Sequence, residues 1–145
     1  VFPGNCWAFK GHQGQVVIRL PARVHLTAIT VQHITKEASP SGTIISAPKD
    51  IAVFVSLPGT SAGDLALGGM DADREEETLL GMFTYNMEKH PIQTFPLKNM
   101  LLPRAFSRVK LLVKSNWGNP WYTCIYRVQV HGKMENRKAS SEGQY

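Results

Sequence analysis

The stretch "SNWGNPWYTCIYRVQVHG", residues 115–132, decides how this chain is read. Its second half, "TCIYRVQVHG" (123–132), is rich in β-branched and aromatic residues and predicts a strand. Its first half is punctuated by Asn, Gly and Pro, the residues of turns. Cys124 stands between Tyr122 and Tyr126, and the only other cysteine, Cys6, lies at the opposite end of the chain. An even cysteine count fits one disulfide or two buried thiols. Cys6 precedes the first predicted strand and Cys124 opens the last, so a bond would tie both ends of the domain together. On the chain-entropy model, closing so long a loop is worth about 4–5 kcal/mol, and the bond needs an oxidising compartment.

Working outward, short alternating runs recur between Gly and Pro. "QVVIRL" (15–20) and "RVHLTAITVQHI" (23–34) predict two strands separated by Pro21. In the second, Val24, Leu26, Ala28, Thr30 and Gln32 fall on one face, and His25, Thr27, Ile29, Val31 and His33 on the other. Residues 51–57, 79–86, 92–97 and 106–115 are further candidate strands. The best helical candidate, "DADREEETLLGMF" (71–83), is acidic in its first turn but short, and is read as a loop or single turn. Many short strands with turn signals between them predict an all-β antiparallel sandwich. Residues 57–77 are glycine-rich and then acidic, which predicts a long surface loop, and the polar segment 133–145 predicts a disordered tail.

The totals fit one globular domain: 145 residues, 43% hydrophobic. No apolar run approaches the ~20 residues that span a bilayer. The chain opens on "VFPGNCW", without Met, and is read as a fragment of a longer protein. The net charge is +5, but Lys and Arg are spread singly, without a dense basic stripe, so nucleic-acid binding is set aside.

Catalytic patterns are thin. His12, His25, His33, His90 and His131 show no metal-ligand spacing. "GHQGQ" (11–15) lacks the Lys and Ser/Thr of a phosphate loop. "SAPK" (46–49) matches S-x-x-K by letters alone, without its companion motifs, and no base for Ser46 is visible. The chain is read as a non-enzyme. Tyr122, Tyr126 and Ser46 could form a neutral donor cluster suited to a peptide carboxylate, or the tyrosines could simply pack their rings at a strand end. His33 ends a strand before a loop, and a lone histidine there reads as surface decoration more readily than as a binding residue. Trp7, Trp117 and Trp121 fit core or loop anchors, or an aromatic platform for sugar.

Four blocks, "PGNCWAFKGHQGQVVIRL" (3–20), "SPSGTIISAPKDIAVF" (39–54), "LGMFTYN" (80–86) and "SNWGNPWYTCIYRVQVHG" (115–132), occur in this order. Together they resemble a SUN domain, the lumenal part of inner-nuclear-membrane SUN proteins, over nearly all of residues 2–132. "AFSRVKLLVKSNWGNP" (105–120) leans toward the sperm-associated members. The resemblance implies a discoidin-like jelly roll, with Cys6 and Cys124 as the family disulfide. It implies a loop binding a monovalent cation, potassium, largely through backbone carbonyls, with Asn5 and Tyr126 at matching positions. It implies capture of the C-terminal tail of KASH proteins, which ends in a proline-rich motif and a free carboxylate. Ser46, Tyr122 and Tyr126 match the carboxylate pocket, and His33 matches the histidine facing the prolines.

Family members form homotrimers above a coiled coil and face the perinuclear space, linking nucleus to cytoskeleton in the LINC bridge. The family's lid hairpin, coiled coil and transmembrane helix lie upstream of the matched blocks, so membrane attachment would come through that upstream segment. The chain departs from the family at Phe54, Val55 and Ser56, where Val-Tyr-Gly is common, and in the length of 57–77. The alternative is a discoidin-like carbohydrate-binding sandwich using Trp121 or Trp117.

Overall fold

The computed structural model describes residues 6–56, 77–97, 105–134 and the backbone of 142–144. Every regular element among them is a strand: β1 Trp7–Lys10, β2 Gly14–Gln32, β3 Asp50–Ser56, β4 Glu77–Thr84, β5 Ile92–Pro96, β6 Phe106–Val113, β7 Tyr122–Ile125, β8 Arg127–Met134 and β9 Glu142–Gln144. All pairings are antiparallel. The fold is an all-β antiparallel sandwich, as the alternation predicts. No helix among the described residues is long and apolar enough to cross a membrane.

The long strand β2 organises the molecule. Its first part pairs with β6, from Gly14↔Val113 to Arg19↔Arg108. Its last part lies between β5 and β8, with Thr30 opposite Thr94 on one side and Gln129 on the other. The main sheet therefore runs β4-β3-β6-β2-β8-β9, with β5 added beside β2. Pro21 does not separate two strands, as the sequence suggested. It falls inside β2, where the register with β6 shifts between Arg19 and Val24. A residue without an N–H is tolerated there because no ladder bond is required of it.

A second irregularity changes which residues face the core. Leu26 pairs with Gly132 but Ala28 with His131, so Thr27 is an extra residue. Such a bulge moves the pleat by one position. Val24, Leu26, Ile29, Val31 and His33 are consequently buried together, in place of the two unbroken faces expected from period-two alternation. β6 supplies the centre of the core: Val109, Leu111 and Val113 lie opposite Val55, Val53 and Ile51 of β3. The departure at Phe54–Ser56 leaves the β3–β6 register intact, and the shift is taken on β4, where Leu80 is the extra residue.

Two elements differ from expectation near the termini. β1 was not foreseen; it pairs with β7, Trp7 opposite Ile125 and Lys10 opposite Tyr122. The strand predicted over 123–132 is divided at Tyr126 into β7 and β8. The tail was expected to be disordered over 133–145. Of these residues, 133–134 belong to β8 and Glu142–Gln144 pairs with it, because β8 offers an edge of unpaired backbone groups; 135–141 and 145 lie outside the described residues. Glu77–Thr84 is a strand, as the run 79–86 predicted, and it begins within the segment 71–83 that was also weighed as a loop or single turn. Residues 57–76 lie outside the described residues.

Candidate functional site

His33, Ser46 and Tyr126 come from three separate segments: the residue after β2, a turn before β3, and the break between β7 and β8. The structure brings them together. The His33 Nδ1 lies 3.2 Å from the Ile34 carbonyl, and its Nε2 lies 3.2 Å from Ser46 Oγ. A carbonyl can only accept, so Nδ1 carries the proton and the bare Nε2 accepts from the Ser46 hydroxyl. The Tyr126 ring stands edge-on to the imidazole, with centroids 5.0 Å apart. His33 is 2% exposed and Ser46 8%, so the surface alternative for His33 is ruled out.

Backbone bonds hold the three segments in register. The Tyr126 N–H donates to Gln32 O at 2.9 Å, and the Cys124 N–H donates to Ser46 O at 2.8 Å. Cys6 and Cys124 form a disulfide with Cα atoms 5.6 Å apart, which clamps the segment before β1 onto β7. The opening stretch thus places its cysteine on the strand that holds the Ser46 backbone, two residues before Tyr126.

Tyr122 behaves differently. Its strand, β7, ends at Ile125, one residue before Tyr126. Tyr122 is exposed on β7, with its backbone tied to the turn through Asn119 Oδ1. Asn5 lies outside the described residues. Among the described residues no three His, Cys, Asp or Glu side chains group as a metal site.

Several residues at the site carried no signal in the sequence reading. Asn116 Nδ2 donates to the carbonyls of Asn119 and Tyr122 and to Thr123 Oγ1. Gly118 adopts φ 130°, which only glycine takes freely. The Asn-Trp-Gly-Asn-Pro run, 116–120, was the available clue to this self-bonded turn. Trp117 is not a free platform: its Nε1–H donates to Tyr85 O at 2.7 Å, and Lys49 Nζ sits 4.7 Å from its ring centroid. Trp121 is 76% exposed. Trp7, expected as an anchor, is 43% exposed and packs against Phe9. Beside His33 opens a cleft of about 490 Å³, with Ile34, Tyr85 and Pro91 in its wall and Lys36, Glu37, Glu88 and Lys89 among its lining residues.

The His33–Ser46 distance supplies the base that the sequence did not show. Behind the imidazole, however, stands a neutral carbonyl rather than a carboxylate. Burial also pushes His33 below its ordinary 6.5, against a smaller opposite pull from the Ile34 carbonyl. The imidazolium that a general base must become is therefore disfavoured, and the pair suits a fixed hydrogen-bond pattern better than proton transfer. The same shift sets a pH dependence. The unfolded chain protonates His33 near its ordinary value while the folded chain resists, so this group's stabilisation is present above pH 6.5 and lost as pH falls through the lowered folded-state value. Urea midpoints should fall between about pH 7 and pH 5, and the fall should be smaller in His33→Gln. Parallel pH profiles for the two proteins would refute this.

A family model described as Sad1/UNC-like C-terminal matches residues 1–134. Sperm-associated antigen 4 protein of Homo sapiens is 46% identical over 144 residues, covering 99% of this chain and 30% of that protein. SUN domain-containing protein 5 of Homo sapiens is 46% identical over 134 residues, 92% of this chain and 31% of that protein. SUN domain-containing protein 2 of Mus musculus is 46% identical over 134 residues, 92% of this chain and 16% of that protein. The chain therefore spans less than a third of the length of these relatives. The four blocks, the disulfide and the sandwich agree with that match, and the chain belongs to the Sad1/UNC-like C-terminal family, as a SUN domain.

Proposed function

We propose that this domain captures the C-terminal tail of a KASH protein in the perinuclear space, as part of the LINC bridge between nucleus and cytoskeleton. The observation that carries the reading is the convergence of His33, Ser46 and Tyr126 at one place. On binding, the Ser46 hydroxyl turns from His33 Nε2 to the arriving carboxylate. A charge-assisted bond, about 1.5–3 kcal/mol, exceeds the neutral one given up. Tyr126 adds an aromatic wall and a hydroxyl. Exposed Tyr122 closes toward the peptide from outside. Upstream residues of the tail add as a strand to a sheet edge, with main-chain bonds supplying affinity.

The domain works as a homotrimer held above a coiled coil, facing the lumen from the inner nuclear membrane. Three tails bound together strengthen the attachment by raising effective concentration. A monovalent cation such as potassium, bound largely by backbone carbonyls near Asn5 and Tyr126, belongs to the same reading. The sperm-associated leaning rests on residues 105–120, because the three relatives above are equally identical to the chain.

The test is binding of a KASH C-terminal peptide to this domain fused to a trimeric coiled coil. The free acid should bind about tenfold or more tightly than the same peptide amidated at its end. Tyr126→Phe should weaken the free acid. Equal affinity for acid and amide would overturn the reading. So would the absence of binding by a folded trimer with its upstream segment restored. Sensitivity to Trp121→Ala with indifference to Tyr126→Phe would favour a loop-borne sugar site instead.

A further inference from the structure

The hydrogen bond between His33 and Ser46 is one link in a closed ring. The His33 N–H donates to Pro91 O at 3.1 Å, and the same carbonyl accepts the Tyr85 hydroxyl at 2.7 Å. The Tyr85 carbonyl accepts Trp117 Nε1–H at 2.7 Å. The Trp117 backbone N–H donates to Ala47 O at 3.2 Å. Ala47 follows Ser46 in the chain, and Ser46 Oγ returns to His33 Nε2 at 3.2 Å. Five hydrogen bonds thus connect four segments of the chain, around His33, Ser46–Ala47, Tyr85–Pro91 and Trp117.

Tyr85 and Trp117 supply the links of this ring between Pro91 and Ala47. Tyr85 is 2% exposed, and burial pushes its phenol up to about 12, so it stays a donor. Its N–H also donates to Lys49 O at 2.8 Å, and Lys49 covers the Trp117 ring. Neighbouring bonds stiffen the Ser46 side. Lys49 N–H donates to Ser115 O at 2.7 Å, and Asn119 N–H donates to Ile45 O at 3.3 Å.

We propose that Trp117 and Tyr85 are positioning residues that set the distance between His33 and Ser46, and so determine discrimination for a free carboxylate over a neutral peptide end. The proposal rests on the carboxylate-capture reading. A neutral end gains little from the placement of the Ser46 hydroxyl, whereas a charged oxygen loses steeply when its donor moves. Opening the ring at Trp117 frees the turn at Ala47 and so moves Ser46. Opening it at Tyr85 frees Pro91 and the backbone of His33.

The experiment uses the domain on a trimeric coiled coil and one proline-rich KASH peptide, as free acid and as amide. Trp117→Phe removes the indole N–H but keeps a ring under Lys49, and Tyr85→Phe removes one hydroxyl. Each should weaken the free acid about fivefold or more while changing the amide little, so that the acid-to-amide ratio falls. Val109→Ala, a core truncation outside the ring, is the control for general destabilisation and should leave the ratio unchanged. An unchanged ratio in both ring variants overturns the proposal, as does an equal loss for acid and amide. Should Trp117→Phe not fold, Tyr85→Phe decides alone. Ser46→Ala separates the two levels. If it lowers the ratio and the ring variants do not, carboxylate capture stands and the positioning role falls. If Ser46→Ala also leaves the ratio unchanged, the capture reading itself fails.

Discussion

Replacing Cys6 and Cys124 together by serine should lower the unfolding free energy by about 4–5 kcal/mol, the chain-entropy value for a loop of this length. The two residues are 118 apart in sequence, so the bond removes a large set of extended conformations from the unfolded chain. Domains of this kind are stable by roughly 5–15 kcal/mol, so the double variant should be marginal at body temperature. The bond also acts locally. Cys124 donates its N–H to Ser46 O, and β1 is paired to β7 along its whole length. Without the clamp, the small β1–β7 sheet should open before the main sheet does. Urea unfolding of the oxidised and double-serine proteins, followed by tryptophan fluorescence, measures the difference. A loss below about 1 kcal/mol would show that the bond constrains little.

Leu111→Ala should cost about 2–5 kcal/mol. Leu111 is fully buried and lies between Val16 of β2 and Val53 of β3 on a strand paired at both sides. A cavity there cannot collapse readily, because both flanking strands are held in register by ladder bonds. Val17, the next residue of β2 after Val16, is 40% exposed, and Val17→Ala should change stability by no more than about 0.5 kcal/mol. Thermal unfolding separates the two variants. At roughly 4 °C per kcal/mol for a domain of this size, Leu111→Ala should lower Tm by about 8 °C or more while Val17→Ala barely moves it. Similar shifts for both would mean that β6 does not carry the core.

Much of the architecture was legible in local pattern. β3, β5 and β6 appear within a residue or two of the runs that alternate apolar and polar, since strand pleating has a fixed period. The failures are of one kind. Pro21 looked like a break and is accommodated within β2, and the faces of residues 23–34 were inverted beyond Thr27. A bulge depends on how the partner strand counts residues, and nothing in "HLTAIT" states that count. β1 went unseen because a four-residue strand has too few alternations to stand out.

The candidate site divides in the same way. Cys6, Cys124, Ser46, His33 and Tyr126 were nameable from motif blocks, because their types and order are carried by the chain itself. Their meeting was not. His33 reaches the core face because the bulge at Thr27 shifts the pleat, and its bond to Ser46 closes across a turn. Tyr85, and the tie of Trp117 to it, entered only through a bond between residues 32 positions apart. By itself, the sequence determined the strand content, the two cysteines able to bond and the family to which the chain belongs. These depend on side-chain type and local spacing. The tertiary structure alone decided register, burial and which hydroxyl meets which imidazole, because those depend on hydrogen bonds that only distant segments can complete.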